Sequence, residues 1–162
     1  MADKVTTFLT FKDHGEEAVN FYVSIFKNSK ILTIVRSDGR DRVPKGTLLH
    51  AAFTLDGRLF MAMDGGPHFR FDQGFSLFVN CQTQEEVDEL WEKLSEGGEE
   101  QQCGWLKDKY GVSWQIIPSA LGEMLQDKDP EKSARVMEAM LQMQKIDIKR
   151  LKQAYESVPA RR

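Results

Sequence analysis

The sequence predicts an α+β fold in which a strand–helix–strand–strand–strand (βαβββ) module occurs twice and is followed by helices. The first observation is an internal repeat, since the segment 16–22 reappears in physical character as the segment 85–91, 69 positions later. The second is that the order of predicted elements restarts after Gly74, and the third is that only helical patterns follow Pro118. A repeat of this kind indicates one pseudo-symmetric fold.

The first module begins with a run in which β-branched and aromatic residues alternate, which is typical of a strand. Asp13 lies three residues before Glu16, which resembles a capping box, and apolar residues then recur at helical spacing. The pair Asp56-Gly57 indicates a tight hairpin turn. The predicted elements are a strand over 4–11, a helix that ends at Asn28-Ser29, and strands over 30–36, 47–55 and 58–63.

The second module repeats this order with a clearer helix start, because Thr83 and Glu86 form a capping-box pattern and Gly97-Gly98 ends the helix. The predicted strands are 75–81, 99–103, 105–107 and 112–117, and helices are predicted over 121–126, 131–144 and 147–157. We therefore predict one domain over residues 1–118, made of modules at about 4–66 and 74–118, and a C-terminal helical extension over 119–162.

Composition and charge exclude several classes of protein. The net charge is −3 and basic residues are interleaved with acidic ones, which argues against a nucleic-acid partner. No apolar run approaches the roughly 18 residues that a membrane helix requires, and the N-terminal segment lacks the pattern of a secretory signal. Two cysteines without a CxxC motif fit a reduced compartment, so we expect a cytoplasmic protein without a membrane partner.

Four segments carry a resemblance to a known family: Asn20-Phe21-Tyr22, 63–67, Val79-Asn80-Cys81, and the long segment 102–118. With the tandem module, they resemble the PhnB-like branch of the vicinal oxygen chelate superfamily, which includes glyoxalase, bleomycin resistance and dioxygenase proteins. The resemblance implies modules that curl into an incomplete barrel, and a homodimer. The branch often carries the label 3-demethylubiquinone-9 3-methyltransferase, yet the sequence has no strand–glycine-rich loop–helix segment suited to a nucleotide-like cofactor.

In this superfamily the first and last strands of each module place ligands on a divalent metal. The repeat pairs Thr7 with Ser76, and alignment of the final hairpins on their glycines pairs Met61 with Gln115. Metal-dependent members carry His, Glu or Gln at these places, whereas a threonine, a serine, a thioether and an amide supply no negative charge. We therefore expect no bound metal and no other cofactor.

The candidate ligand-binding residues lie in the strands that line the modules. Of Met61 and Met63, only Met61 is expected to face the cavity. His50 is compatible with a general base or ligand, but strand alternation favours the solvent face or a structural hydrogen bond. The cysteines Cys81 and Cys103 are expected to be packed and inert. The full predicted set is Thr7, His50, Met61, Ser76, Trp105 and Gln115, and no catalytic residue is identified.

Three functions remain open at this level. The first is a metal-free protein that binds an unknown small molecule, which is favoured by the absence of charged ligand positions. The second is a metal-dependent lyase, isomerase or dioxygenase, which only fold analogy supports. The third is a dimeric scaffold or regulator that uses the methionine-rich C-terminal helices as a contact surface.

Overall fold

The protein was analysed as a computed structural model that describes residues 3–40 and 42–157. The chain forms two compact units, the first ending at Phe71 and the second beginning at Asp72. None of the helices in the described residues has the length and apolar character needed to cross a bilayer. The predicted α+β class and the repeated βαβββ order are confirmed.

The first unit contains one four-stranded sheet and one helix. The two strands at one edge run parallel, and the remaining pairs are antiparallel, so the sheet order is β1-β4-β3-β2. The hairpin turn at Asp56-Gly57 has positive φ values of 49° and 76°, as a type I′ turn requires. The elements are β1 (Thr7–Phe11), α1 (Gly15–Ile25), β2 (Lys30–Arg36), β3 (Leu48–Leu55) and β4 (Arg58–Asp64).

The start of α1 differs from the capping box that the sequence indicates. His14 occupies the N-cap position in a left-handed conformation with φ 58°, and its own side chain makes no capping hydrogen bond. Instead, the backbone N–H of Gly15 donates to Oδ1 of Asp64 at 2.8 Å. The predicted cap at Asp13 is therefore wrong, because a carboxylate distant in sequence takes its place.

The second unit repeats the sheet order as β5-β8-β7-β6, again with one parallel pair at the edge and antiparallel pairs beyond it. Thr83 caps the helix as predicted, since its side chain accepts a hydrogen bond from the backbone of Glu86 at 3.2 Å. The elements are β5 (Ser76–Cys81), α2 (Gln84–Ser95), β6 (Glu99–Glu100), β7 (Trp105–Lys107), β8 (Ser113–Pro118), α3 (Ser119–Leu125), α4 (Pro130–Leu141) and α5 (Ile148–Glu156).

The helices α3, α4 and α5 pack within the second unit around a shared apolar cluster. Ile117 at the end of β8 belongs to this cluster, so the helices continue the core of the sheet. The other buried members are Leu121, Val136, Met143, Ile146 and Leu151. We call residues 119–157 the C-terminal extension.

The strand predicted over 99–103 is shorter than expected, because β6 ends at Glu100. Two backbone N–H groups beyond it, those of Cys103 and Gly104, donate to the carbonyls of Met143 and Gln144, both at 2.8 Å. After one more hydrogen bond to β7, from the backbone of Gln101 to the carbonyl of Trp105 at 2.9 Å, the chain therefore bonds to the C-terminal extension.

Candidate functional site

Each sheet has a face covered by its own helix and a face directed the other way, which we call the open face. In the first sheet, Leu9, Phe11 and Phe60 are buried together with Val19 and Tyr22 of α1. Because strand residues alternate between faces, the residues between these positions lie on the open face.

The open face of the first sheet brings together two of the predicted site residues. Met61 lies beside Phe8 in the β1–β4 register and beside Ala52 in the β3–β4 register. The rings of Phe8 and His50 are 6.5 Å apart between centroids. Met61 and His50 therefore share a face with Phe8, which keeps 46 % of its surface exposed. Met63 is two residues from Met61 and lies on the same face, so the expectation that it faces away is wrong.

Thr7 does not join this group. It pairs with Phe60 and has the same strand parity as the buried Leu9, so it lies on the face that α1 covers. The residue of β1 beside Met61 is Phe8.

The open face of the second sheet brings together the other three predicted residues. Nε2 of Gln115 donates a hydrogen bond to Oγ of Ser76 at 2.9 Å, across the parallel pair β5–β8. Trp105 lies beside Gln115 in the β7–β8 register, and Phe78 lies beside it in the β5–β8 register. Phe78 is 59 % exposed, so an amide, a hydroxyl and two aromatic rings form one accessible surface.

The register also corrects the equivalence of the two modules. Phe8 pairs with Met61, and Phe78 pairs with Gln115, so these residues occupy matching positions in the two sheets. The two predicted matches, Thr7 with Ser76 and Met61 with Gln115, therefore disagree by one residue, and keeping the second replaces Thr7 and Ser76 by Phe8 and Phe78. The cause is the loop before each helix, which has three residues between β1 and α1 but two between β5 and α2.

The corrected positions do not fit a divalent metal. Of Phe8, Met61, Phe78 and Gln115, only the amide oxygen of Gln115 belongs to a type of group that hard cations accept. Within residues 3–40 and 42–157, no group of three or more His, Cys, Asp or Glu side chains is arranged to hold a metal ion. At these four positions the side chains are neutral and largely apolar.

A cleft that the sequence does not reveal adjoins Trp105. Its volume is about 660 Å³, and Trp91 fixes one of its carboxylates by donating from Nε1 to Oε1 of Glu100 at 2.8 Å. Because the lining residues come from the short strand β6, the start of β7 and loops distant in sequence, no sequence pattern marks them. They are Gln73, Glu99, Glu100, Gln101, Gln102, Trp105 and Gln144.

Two polar residues next to the site are buried. Asp108 accepts hydrogen bonds from the backbone of Tyr110 and Val112 and, at 2.8 Å, from Nε1 of Trp114, so it fixes the β7–β8 turn. Ser113 is 1 % exposed, and its hydroxyl has no hydrogen-bond partner among the described residues. Asp108 therefore has a structural role in positioning β8.

The two cysteines are both free. Burial, together with the charge of Glu86, raises the pKa of the Cys81 thiol to about 12. Since the thiolate is the reactive form, Cys81 is an inert core residue, as predicted.

The comparisons with known proteins agree with this fold. The family model described as 3-demethylubiquinone-9 3-methyltransferase matches residues 3–117. The structure of a PhnB protein from Bacillus cereus, also described as a 3-demethylubiquinone-9 3-methyltransferase, is 42 % identical with a TM-score of 0.69, over 72 % of this chain and 99 % of that chain. No curated protein sequence matches the chain.

Two more distant structures share the fold alone. A Pseudomonas aeruginosa protein is 22 % identical with a TM-score of 0.60, over 72 % of this chain and 98 % of that chain. The fosfomycin resistance protein FosX from Listeria monocytogenes is 19 % identical with a TM-score of 0.56, over 78 % of this chain and 99 % of that chain. The chain therefore belongs to the PhnB-like family described as 3-demethylubiquinone-9 3-methyltransferase.

Proposed function

We propose that this protein binds a small organic molecule on the open face of its second sheet, without a divalent metal. The observation that supports this most strongly is the hydrogen bond from Gln115 to Ser76, with Trp105 and Phe78 on either side. A largely apolar surface with a few placed polar groups is the usual form of a small-molecule site.

The polar pair retains hydrogen-bonding capacity for a ligand. The amide of Gln115 has a second N–H and a carbonyl oxygen, and the hydroxyl of Ser76 can still donate its proton. Trp105 and Phe78 offer ring faces for a flat molecule to stack on. A ligand with an aromatic or heteroaromatic ring and a hydrogen-bonding edge matches this arrangement.

Two activities attached to relatives lack matching residues in this chain. FosX from Listeria monocytogenes is described in complex with Mn(II) and sulfate, but it is 18 % identical to this chain and shares the fold alone. Phe8, Met61 and Phe78 stand here at positions where a metal would need charged or imidazole ligands. The methyl transfer in the family description would need a cofactor loop that the sequence does not contain.

A screen of aromatic and heteroaromatic compounds in the presence of EDTA tests the proposal. Ligands should bind the wild-type chain, and Gln115→Met should weaken them about five- to tenfold through lost hydrogen bonds. Methionine suits this test because Met61 occupies the matching position of the first module. Glu92→Ala, an exposed change on α2, which covers the opposite face of the sheet, is the control.

Three results would count against the proposal: no compound binds, binding requires an added metal, or binding is unchanged in both Gln115→Met and Ser76→Ala.

Assembly as a homodimer, which the family resemblance implies, is a further part of the proposal. Light scattering on the full chain tests it, and a single-chain mass at micromolar concentration would contradict it.

A further inference from the structure

We propose that the C-terminal extension forms one wall of the ligand site, and that Gln144 on this wall helps to select uncharged or cationic ligands. This inference rests on the proposed function and extends it to the cleft beside Trp105. Gln144 lines that cleft together with Trp105, Glu99 and Glu100.

The extension lies beyond the part of the chain that the family model covers. The match to the family model ends at residue 117. In the comparison with the Bacillus cereus relative, 72 % of this chain aligns with 99 % of that chain. Almost the whole of that relative is therefore matched by less than three quarters of this chain. The extension is therefore a feature by which the sites of two family members can differ.

Backbone hydrogen bonds attach the extension to the edge of the site. Cys103 and Gly104 donate to the carbonyls of Met143 and Gln144, both at 2.8 Å. Both donors have positive φ values, 60° and 83°, so this loop adopts an unusual conformation that the two bonds support. Trp105 follows directly, and its position therefore depends on the segment 143–146.

Side chains of α2 hold the same segment from the other side. Nε2 of Gln84 donates to the carbonyl of Ile146 at 3.0 Å, and its Oε1 accepts from the backbone of Ile148 at 2.7 Å. Nζ of Lys145 lies 2.9 Å from Oδ1 of Asp88. Met143 and Ile146 are buried, whereas the side chain of Gln144 between them is exposed toward the cleft.

The chemistry of the cleft indicates the class of ligand. Its described lining consists of two glutamates, four glutamines and one tryptophan, with no lysine or arginine. Carboxylate and amide oxygens accept hydrogen bonds, and an indole face attracts cations. A flat molecule with several hydrogen-bond donors fits this lining, and an anion is disfavoured.

Three probes with the same ring and different charge test the inference: benzamidine, benzamide and benzoate. Their dissociation constants are measured on the full chain from the indole N–H signal of Trp105 in ¹H–¹⁵N spectra. We expect benzamidine to bind most tightly and benzoate least tightly. Gln144→Glu should increase the ratio of the affinity for benzamidine to the affinity for benzoate, and Gln144→Lys should decrease this ratio. Each change should be about fivefold, as expected for a charge at close range.

The matched controls are Gln142→Glu and Gln142→Lys, which place the same charges two residues away on an exposed side chain outside the cleft. These variants should leave the ratio unchanged. An unchanged ratio in the Gln144 variants, or an equal change in the Gln142 variants, overturns the inference. If binding still weakens in Gln115→Met, the proposed function survives that outcome; if no probe shifts the Trp105 signal, the inference is also overturned.

Discussion

Nε2 of Gln115 donates to Oγ of Ser76 at 2.9 Å and links the two parallel strands of the second sheet on their open face. At the matching position of the first sheet, Met61 carries a thioether beside Phe8. The two modules thus share strand order and helix packing but differ in polarity at the strand positions where a ligand is expected to bind. This difference makes the second sheet the better candidate for specific hydrogen bonding.

Gly104 should be intolerant of any side chain. Its φ is 83°, and an added Cβ would lie 2.6 Å from Cδ1 of Ile117 and 3.0 Å from the carbonyl oxygen of Ile116. We expect Gly104→Ala to lower the free energy of unfolding by about 2–4 kcal/mol, from left-handed strain and overpacking. Urea denaturation measures this loss.

Gly122 in α3 supplies the matched control, because an added Cβ there meets nothing within 4 Å. Gly122→Ala should raise the free energy of unfolding by about 0.5–1 kcal/mol, since alanine favours a helix. Equal stability of the two variants would contradict the packing described around Gly104.

Asp108 should be essential for the stability of the second sheet. Its side chain is 2 % exposed and accepts hydrogen bonds from two backbone N–H groups and from the indole of Trp114. Asp108→Ala leaves buried donors without an acceptor, so we expect a loss of about 3 kcal/mol or more in the free energy of unfolding. Chemical denaturation measures this loss, and the exposed change Asp72→Asn is the control.

A smaller loss is expected for Asp108→Asn, which keeps one oxygen for the backbone bonds but places an amide against the Trp114 N–H. If Asp108→Ala were as stable as Asp72→Asn, the structural role of Asp108 would be wrong.

Asp88 should make the docking of the C-terminal extension sensitive to acid. Hydrogen bonds from Gln84 and then from Lys145 lower the pKa of its carboxyl group. Because the folded-state pKa is depressed, the stabilisation is complete above the unfolded value of about 3.9 and is lost as pH falls through the folded value. The melting temperature of Asp88→Asn should therefore lie below that of wild type at pH 7, and the gap should close below about pH 4.

Glu92→Gln is the control for this pH series, because it removes an exposed carboxylate from the same helix. A gap between wild type and Asp88→Asn that stays constant down to pH 2 would rule out the proposed linkage.

The two cysteines should differ sharply in reactivity. With a pKa of about 12, Cys81 is a thiolate in only about one molecule in ten thousand at pH 8. Cys103 is half-buried, so iodoacetamide should label it first in the native protein. Peptide mass mapping measures the labelling rate of each cysteine. In guanidinium, where the chain is unfolded, the two labelling rates should be similar. Equal labelling rates in the native protein would contradict the burial of Cys81.

Much of the fold could be predicted from the sequence because its local signals are strong. The hairpin at Asp56-Gly57 and the helix cap at Thr83 are encoded by a few adjacent residues, and both are confirmed. The cap expected at Asp13 is wrong because Asp64, 49 positions from Gly15, supplies the acceptor. A contact so distant in sequence leaves no local pattern.

The candidate site was only partly predictable for a related reason. The sequence repeat is anchored on the helices, where the spacing is 69, but the loops before them differ by one residue. A shift of one residue moves a strand side chain to the opposite face, so matching Met61 with Gln115 leaves Phe8, and not Thr7, opposite the position of Phe78. The role of Gln144 depends on how the extension packs, which periodicity does not specify.

Metal content is the most direct test of the central claim, which is that this family member binds small molecules without a divalent ion. The full chain, purified without chelator, is analysed for Mn, Fe, Ni and Zn by mass spectrometry, and its melting temperature is then measured with each ion. We expect far less than one metal per chain and no specific rise in melting temperature, because the described part of the chain brings no three His, Cys, Asp or Glu side chains together as a ligand set. One bound metal per chain, or a rise in melting temperature that Gln115→Met abolishes, would contradict the claim.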